Sequence, residues 1–404
     1  MVSEQRFVPG RSTPRNVLLI NHNPRGVGTF YRCWHLARNL ARIGLTISLL
    51  TVSPNRRVLP LSESKEDVRL VETPNLLTNM YALGGGYGAI GIPYRISYAL
   101  RHRFDLVHAF DHKPNVLLPA MFAHNMKNTP LVADWSDWWG KTGDGSGLQE
   151  GKARLVVKLE TATEEYIHRR ADRVTTISTG LRQRAISLGI PSEKTCWIPS
   201  GAPDDLILPR DRTQCRQELG IPSSTFLLGH VGFGIEDLSM SVPALLMLGR
   251  KRRNVRLGII GPSGPEGSLG DAEFRRAVVR FGRVPFHKLA PYLGACDAFI
   301  LPLKDSVVNR TRWPNKFGDY IAAGRPVLTS PIGDVAQFVE SADCGIVWRS
   351  SSDLVAAVER LMDTPREASE MGRRARRLAE GDLSWATLAK RFMDVYRDTF
   401  ASNN

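Results

Sequence analysis

Three basic side chains, Arg310, Arg312 and Lys316, fall within seven positions that hold no acid. They lead into a helical pattern, Lys316–Ala323, in which Asp319 follows Lys316 by about one turn. Cations gathered at a helix start suit a diphosphate, and a carboxylate on the same helical face suits the hydroxyls of a ribose. Asn315 stands beside them as a further polar contact, and the Trp-Pro pair at the centre of the loop fits poorly with an ordinary solvated turn.

Three other loops have residue types that do chemistry. NHNPRGVGTFYR places Gly26 and Gly28 ahead of a helix, where backbone amides approach a phosphate and the helix dipole favours negative charge, with Arg25 or Arg32 as an added cation. A tight βα turn accounts for the same glycines equally well, and Tyr31 at the third position of G-x-G-x-x-G speaks against a dinucleotide fingerprint. HAFDHKPN brings Asp111 and His112 to one strand end, a carboxylate and imidazole suited to holding a proton or orienting a hydroxyl. DWSDWWGKTGDGSG combines Asp134 and Asp137 with Trp135, Trp138 and Trp139. Indole faces beside carboxylates suit a carbohydrate ring, although at least one of these tryptophans is expected in the core.

These loops need strands to hold them. Short apolar runs at 17–20, 46–52, 106–109, 131–133 and 174–177, each followed by a helical pattern, read as buried parallel strands. The rhythm restarts at 226–231 and continues at 255–260, 298–301, 326–329 and 345–348. The Pro- and Gly-rich segment IPSGAPDDLILP separates the two series. The reading is therefore α/β: two doubly wound parallel-sheet domains, 1–200 and 201–384, with an amphipathic helix, 385–404, crossing back. Leu388, Phe392, Val395 and Tyr396 share its apolar face. Ligand loops in such sheets follow the carboxyl ends of strands, which is where all four loops fall.

With 404 residues, 42% hydrophobic and 23% charged, the chain folds around ordinary cores and is not a disordered or fibrous protein. Its 54 Lys+Arg against 40 Asp+Glu give a net charge of +14, which favours anionic partners. The excess is spread over both halves and forms no stripe with interleaved aromatics, so nucleic acid is not expected as a partner. Five scattered cysteines lack metal or disulfide spacing, so no metal site is expected. The first fifteen residues lack a signal-peptide apolar run, and a cytoplasmic location is the expectation. The stretch Tyr81–Phe104, with glycines, aromatics and Arg95, Arg101 and Arg103, offers peripheral contact with the inner membrane face through Ile96, Tyr98 and Leu100, or equally an ordinary surface helix.

Taken together, G-x-G-T-F-x-R after the first strand, ADRVTTISTGLRQRAISLGI with WIPSGAP, and PNKFGDYIAAGRPV resemble the family 4 glycosyltransferases of the GT-B fold, over nearly the whole chain. The resemblance implies two Rossmann-like domains facing a cleft. It also implies transfer of a sugar from a UDP- or GDP-type nucleotide sugar to a glycan, lipid-linked or other hydroxyl acceptor, with retention and with no metal or other cofactor. It makes the second domain the donor side and the first the acceptor side. Asp111, His112, Arg312 and Lys316 are then the catalytic candidates. Gly26, Gly28, Gly232, Phe233, Arg310, Arg312, Asn315, Lys316 and Asp319 are the donor contacts, and Asp134, Trp135, Asp137 and Trp138 the acceptor contacts. Two departures stand out: Thr311 occupies the position of the family's first glutamate, and GHVGFGIEDLSM lacks the usual Arg and Lys. Arg310, Arg312 and Lys316 are the proposed replacement charge. A sugar-nucleotide epimerase of the same fold and a non-enzymatic binder of anionic polymer are the competing readings.

Overall fold

The computed structural model describes residues 13–76, 88, 90–141, 154–232, 237–251, 254–262 and 275–402. Phe233 and residues 81–87 lie outside them. The chain divides into two compact units, Met1–Ser200 with Trp385–Asn404, and Gly201–Ser384.

The first unit is built on β1 (Asn16–Pro24), β2 (Thr46–Val52), β3 (Leu61–Lys65), β4 (Val68–Thr73), β5 (Leu106–Phe110), β6 (Leu131–Trp135), β7 (Arg173–Thr176) and β8 (Thr195–Trp197). Their order is β3-β4-β2-β1-β5-β6-β7-β8, parallel except for the edge strand β3, which pairs antiparallel with β4. β5 and β6 are buried along their whole length, which is why they read as continuous apolar runs. Helices α1 (Phe30–Arg42), α2 (Gly91–Arg101), α3 (Pro114–Lys127) and α4 (Arg154–Arg170) connect them. The C-terminal helix Trp385–Ser402 packs on α1 in this unit and buries Leu388, Phe392, Val395 and Tyr396 in its core.

The second unit has an all-parallel sheet in the order β11-β10-β9-β12-β13-β14. Its strands are β9 (Phe226–Val231), β10 (Val255–Ile260), β11 (Val278–Gly282), β12 (Ala298–Leu301), β13 (Val327–Thr329) and β14 (Gly345–Val347). Strand order reverses beside β1 and β5 in one unit and beside β9 and β12 in the other, so the crevices open at the carboxyl ends of those four strands.

Two of the residues named for membrane contact on α2 turn inward. Arg95 is fully buried and donates to the Asn21 and Asn115 carbonyls at 2.8 and 2.9 Å and to Thr73 Oγ1 at 3.0 Å. Tyr98 is buried as well, so this helix spends its aromatic and its central arginine on the interior.

Candidate active site

In the second unit, β9 is followed by Gly232, whose φ of +124° is a conformation that side chains disfavour. A β-carbon added there would lie 3.2 Å from Lys316 Nζ and 3.4 Å from its Cε. Lys316 comes from the helix Asn315–Ala322, which Trp313 anchors by packing edge-on against Phe317 and Phe338. The same helix ties back to β9 through Tyr320, whose hydroxyl accepts from the Val231 amide at 2.8 Å while its ring stacks on Phe299 at 4.1 Å. Glycine at 232 therefore makes room for an ammonium that the helix delivers.

The charges there are unequal. Lys316 makes no hydrogen bond or ion pair with any described residue; burial, then the Arg312 charge, lowers its pKa to about 8 against the pull of Asp237 and Asp319. Asp319, half-buried one turn on, is raised to about 7 by burial while Lys316 draws it down. Arg312 donates to Asp237 Oδ2 at 2.7 Å, leaving its Nε without an acceptor. Asp237 also accepts from the Lys304 amide and Asn309 Nδ2 at 3.0 Å each, so it frames the loop that carries the cations.

The dense positive cluster read from sequence is thus partly neutralised. Arg310 is exposed and grips Asp305 through two hydrogen bonds of 2.6 and 2.8 Å. The acids responsible lie outside the seven-residue window, which is why counting within it overstates the available charge. Thr311 is buried with its hydroxyl turned to the Val307 carbonyl at 2.9 Å, and Asn315 is exposed at the helix start. At the amino-terminal edge of this sheet, away from these loops, is a cavity of about 660 Å³. Its arginines Arg216, Arg325 and Arg376 are committed to the Ala295, Gly294 and Ala322 carbonyls.

Gly232→Ala is expected to strain the backbone by about 1–3 kcal/mol and displace the ammonium. The outcome is a lower thermal midpoint together with weaker binding of a nucleoside diphosphate, read by melting and titration of the same variant.

In the first unit, Asp111 follows β5 at φ +66°, a strained position held by the hydrogen bond its backbone N–H donates to the Asp134 carbonyl at 2.9 Å. It is fully buried, 3.2 Å from His22 Nδ1, and accepts from Thr29 Oγ1 and the Ser136 amide at 3.3 Å each. Burial pushes its pKa up, but the hydrogen bond and charge of His22 and the charge of His112 outweigh this and hold it low. His112 Nε2 meets Glu160 Oε2 at 2.5 Å, and Lys113 Nζ donates to the same oxygen at 2.7 Å. Burial raises the Glu160 pKa, yet the hydrogen bond and charge of His112, then Lys113, bring it to about 2. His112 Nδ1 is buried with no partner among the described residues, and Trp139 covers the cluster, its ring 3.9 Å from Lys113 Nζ. Asp111 thereby ties together the loops that carry His22, Thr29 and Ser136.

Two acceptor candidates belong to the core. Asp134 is fully buried and takes a bidentate pair from Arg32 at 3.0 and 2.8 Å, with Ser136 and Thr175 hydroxyls at 2.7 Å. Trp135 is fully buried, stacked on His168 at 4.1 Å and donating to Glu164 at 2.9 Å. Asp137 and Trp138 remain half-exposed, with the Arg184 guanidinium 3.8 Å over the Trp138 ring. Gly26 and Gly28 have φ of +82° and +57°, and the loop around them closes in part on itself: the amides of Arg25, Val27 and Phe30 go to backbone carbonyls and that of Thr29 to Asn23 Oδ1 at 2.8 Å. Those four amides serve the turn, and Arg32 and Arg25 are paired with Asp134 and with Glu63 and Glu72.

Sequence reasoning assigned no role to His22, Lys113, Glu160, Glu164 or Asp237. The signal for two of them was periodicity: Glu160 and Glu164 are one turn apart on α4 and both face inward. Glu164 accepts from the Trp139 and Gly140 amides at 2.9 Å each, pinning the start of the tryptophan loop.

Two family models match the chain, one described as a glycosyl transferase 4-like domain over residues 27–201 and one as glycosyl transferases group 1 over residues 228–364. Glycogen synthase of Mycobacterium tuberculosis (strain CDC 1551 / Oshkosh) is 26% identical over 302 residues, covering 73% of this chain and 69% of that protein. Sucrose-phosphate synthase from Thermosynechococcus elongatus superposes with a TM-score of 0.71 at 17% identity, over 96% of this chain and all of the other. Anabaena Alr3699/HepE, solved in complex with UDP-glucose, gives 0.70 at 14% identity over 94% and 98%. The chain belongs to the glycosyltransferases that join a 4-like domain to a group 1 domain in the GT-B fold, and it is an enzyme of that class.

Proposed function

We propose that this glycosyltransferase takes a uridine diphosphate sugar as donor, holds its nucleotide on the second unit, and passes the sugar to a hydroxyl of a glycan or lipid-linked acceptor with retention and without a metal. The observation that carries this reading is Lys316: an ammonium with no ion pair among the described residues, seated against Gly232, with the carboxyl of Asp319, likewise unpaired among them, one turn along. A leaving diphosphate needs positive charge where its own charge develops, and a preorganised cation in a partly desolvated site is worth more than one in water. Lys316 supplies that charge and Arg312 adds a donor from its Nε. Asp319 accepts from the ribose hydroxyls. The UDP-glucose complex of HepE and the 26% identical glycogen synthase support a nucleotide-sugar donor.

The test is UDP release from UDP-glucose and other UDP sugars, with and without candidate acceptors, followed against pH. Ionised Asp319 is required for the ribose, so donor affinity falls as pH drops through about 7; protonated Lys316 is required for the diphosphate, so it falls again as pH rises through about 8. The expected profile is a narrow bell whose acid limb disappears in Asp319→Asn. A flat profile, or an acid limb that persists in the variant, defeats the assignment. Products with inverted anomeric configuration, or turnover abolished by a chelator and restored by a divalent ion, would overturn the finer claims.

A further inference from the structure

Successive right-handed crossovers from β5 to β6 to β7 place α3 and α4 side by side on one face of the first sheet. Their outward surface gathers six of the fourteen exposed large apolar side chains among the described residues. Met126 and Leu155 are 66% and 77% exposed, and Leu118, Phe122, Leu159 and Tyr166 lie between 37% and 50%. The spacing is regular: 118, 122 and 126 follow at one-turn steps on α3, and 155, 159 and 166 line one stripe of α4.

The charges beside this stripe have one sign. Arg154, Lys158, Arg169 and Arg170 are exposed on α4, and 158, 169 and 170 fall on the same side of the helix as its apolar stripe. The sequence of α3 contains no acid. Of the three acids on α4, Glu160 and Glu164 are fully buried, and Glu165 is less than a third exposed and lies within 3.4–3.6 Å of Arg169 and Arg184. The Arg170 guanidinium lies 5.6 Å over the Tyr166 ring, an aromatic and cation held together at the surface. Two apolar ridges whose exposed flanking charges, among the described residues, are cations complement the boundary of an anionic bilayer, where apolar groups enter the acyl edge and long basic side chains reach back to phosphates. A soluble partner or a second copy of this chain would gain from the apolar ridges but give no reason for the single sign of charge. No described helix is long and apolar enough to cross a membrane, so the contact is peripheral.

We propose that the outward face of α3 and α4 docks this enzyme on an anionic lipid surface. The experiment is flotation of the full chain with vesicles of phosphatidylcholine alone and of phosphatidylcholine with phosphatidylglycerol, at low and high salt. The expected result is binding to the anionic vesicles only, weakened by salt. It should fall roughly tenfold or more in Lys158→Glu/Arg170→Glu and again in Leu155→Ser/Leu159→Ser, since each basic residue near such a surface is worth about 1 kcal/mol. The charge variant alters only exposed side chains, so its thermal midpoint and its UDP titration should match the parent. UDP binding lost with vesicle binding intact would count against the donor reading and leave this one standing. Absence of vesicle binding, equal binding to both vesicle types, or equal binding by both variants overturns the proposal. So does a concentration-dependent dimer, seen by sedimentation in place of lipid binding and abolished by the same substitutions.

Discussion

Lys316→Ala leaves about a thousandth of the parent kcat/KM, the scale seen when one preorganised charge-stabilising group is removed from a transition state. The loss follows from position. Arg310 is held by Asp305 and Arg312 by Asp237, so among the three cations of this loop Lys316 alone has no carboxylate of a described residue in contact. Lys316→Arg rescues little, because a guanidinium fork does not fit where the ammonium lies 3.2 Å from the vacant β-position of Gly232. The fold survives the substitution. Burial and Arg312 depress the lysine to about 8, so its charge costs stability at all pH values below that, and the cost fades as pH rises from about 8 toward the ordinary value of 10.5. Lys316→Met should therefore melt slightly higher than the parent at neutral pH while losing activity, a pairing that simple misfolding cannot produce. Thermal melting and steady-state kinetics on the same preparation check both halves.

Asp134→Ala is the counterpart with the largest effect on folding. It strands the buried Arg32 guanidinium, which also donates to the Ile198 carbonyl at 2.9 Å and Ser200 Oγ at 3.3 Å but then lacks any countercharge in contact. Removing one partner of such a pair costs about 3–5 kcal/mol, and for a unit of this size the thermal midpoint falls by roughly 10 °C. Arg32→Met/Asp134→Leu, which removes both charges and keeps the volume, should recover most of the loss. The pH dependence has a definite sign. Burial raises the Asp134 pKa, but the charge and hydrogen bond of Arg32 outweigh it and the net shift is downward. Its stabilisation is therefore present above the unfolded value near 3.8 and is lost as pH falls through the lower folded value. Midpoints measured from pH 7 down to acid should fall for the parent and much less for the double variant.

These two residues show what the sequence makes visible. Fully buried strands such as β5 and β6 announce themselves as apolar runs, and the loops after them are then placed by topology alone. Edge strands do not: β3 is LSESK and largely exposed, and β11 is a half-buried VVRFG, so neither has the continuous run of a two-sided interior strand. The pattern VRLVET of β4 is broken by charges in the same way, although four of its last five residues prove buried. The site divides likewise. Lys316 and Asp319 are three apart on one helix, a relation fixed by helical geometry and so readable in advance. His112 with Glu160 and Asp134 with Arg32 are 48 and 102 residues apart, and only the folded sheet makes them partners. Composition alone could not tell that Asp134 and Trp135 point into the core while Asp137 and Trp138 do not, since β6 alternates sides only up to the residue where it ends.

The central claim is that the second unit binds a nucleoside diphosphate through Lys316 and Asp319. Its most direct test is calorimetric titration of UDP into the parent, Lys316→Met and Asp319→Ala, in the absence of metal. The expected result is saturable binding by the parent, reduced at least tenfold in each variant, each substitution removing a charge-assisted contact of about 1.5–3 kcal/mol. Equal affinity in all three proteins, or no heat and no saturation with the parent at any concentration of UDP, would contradict it.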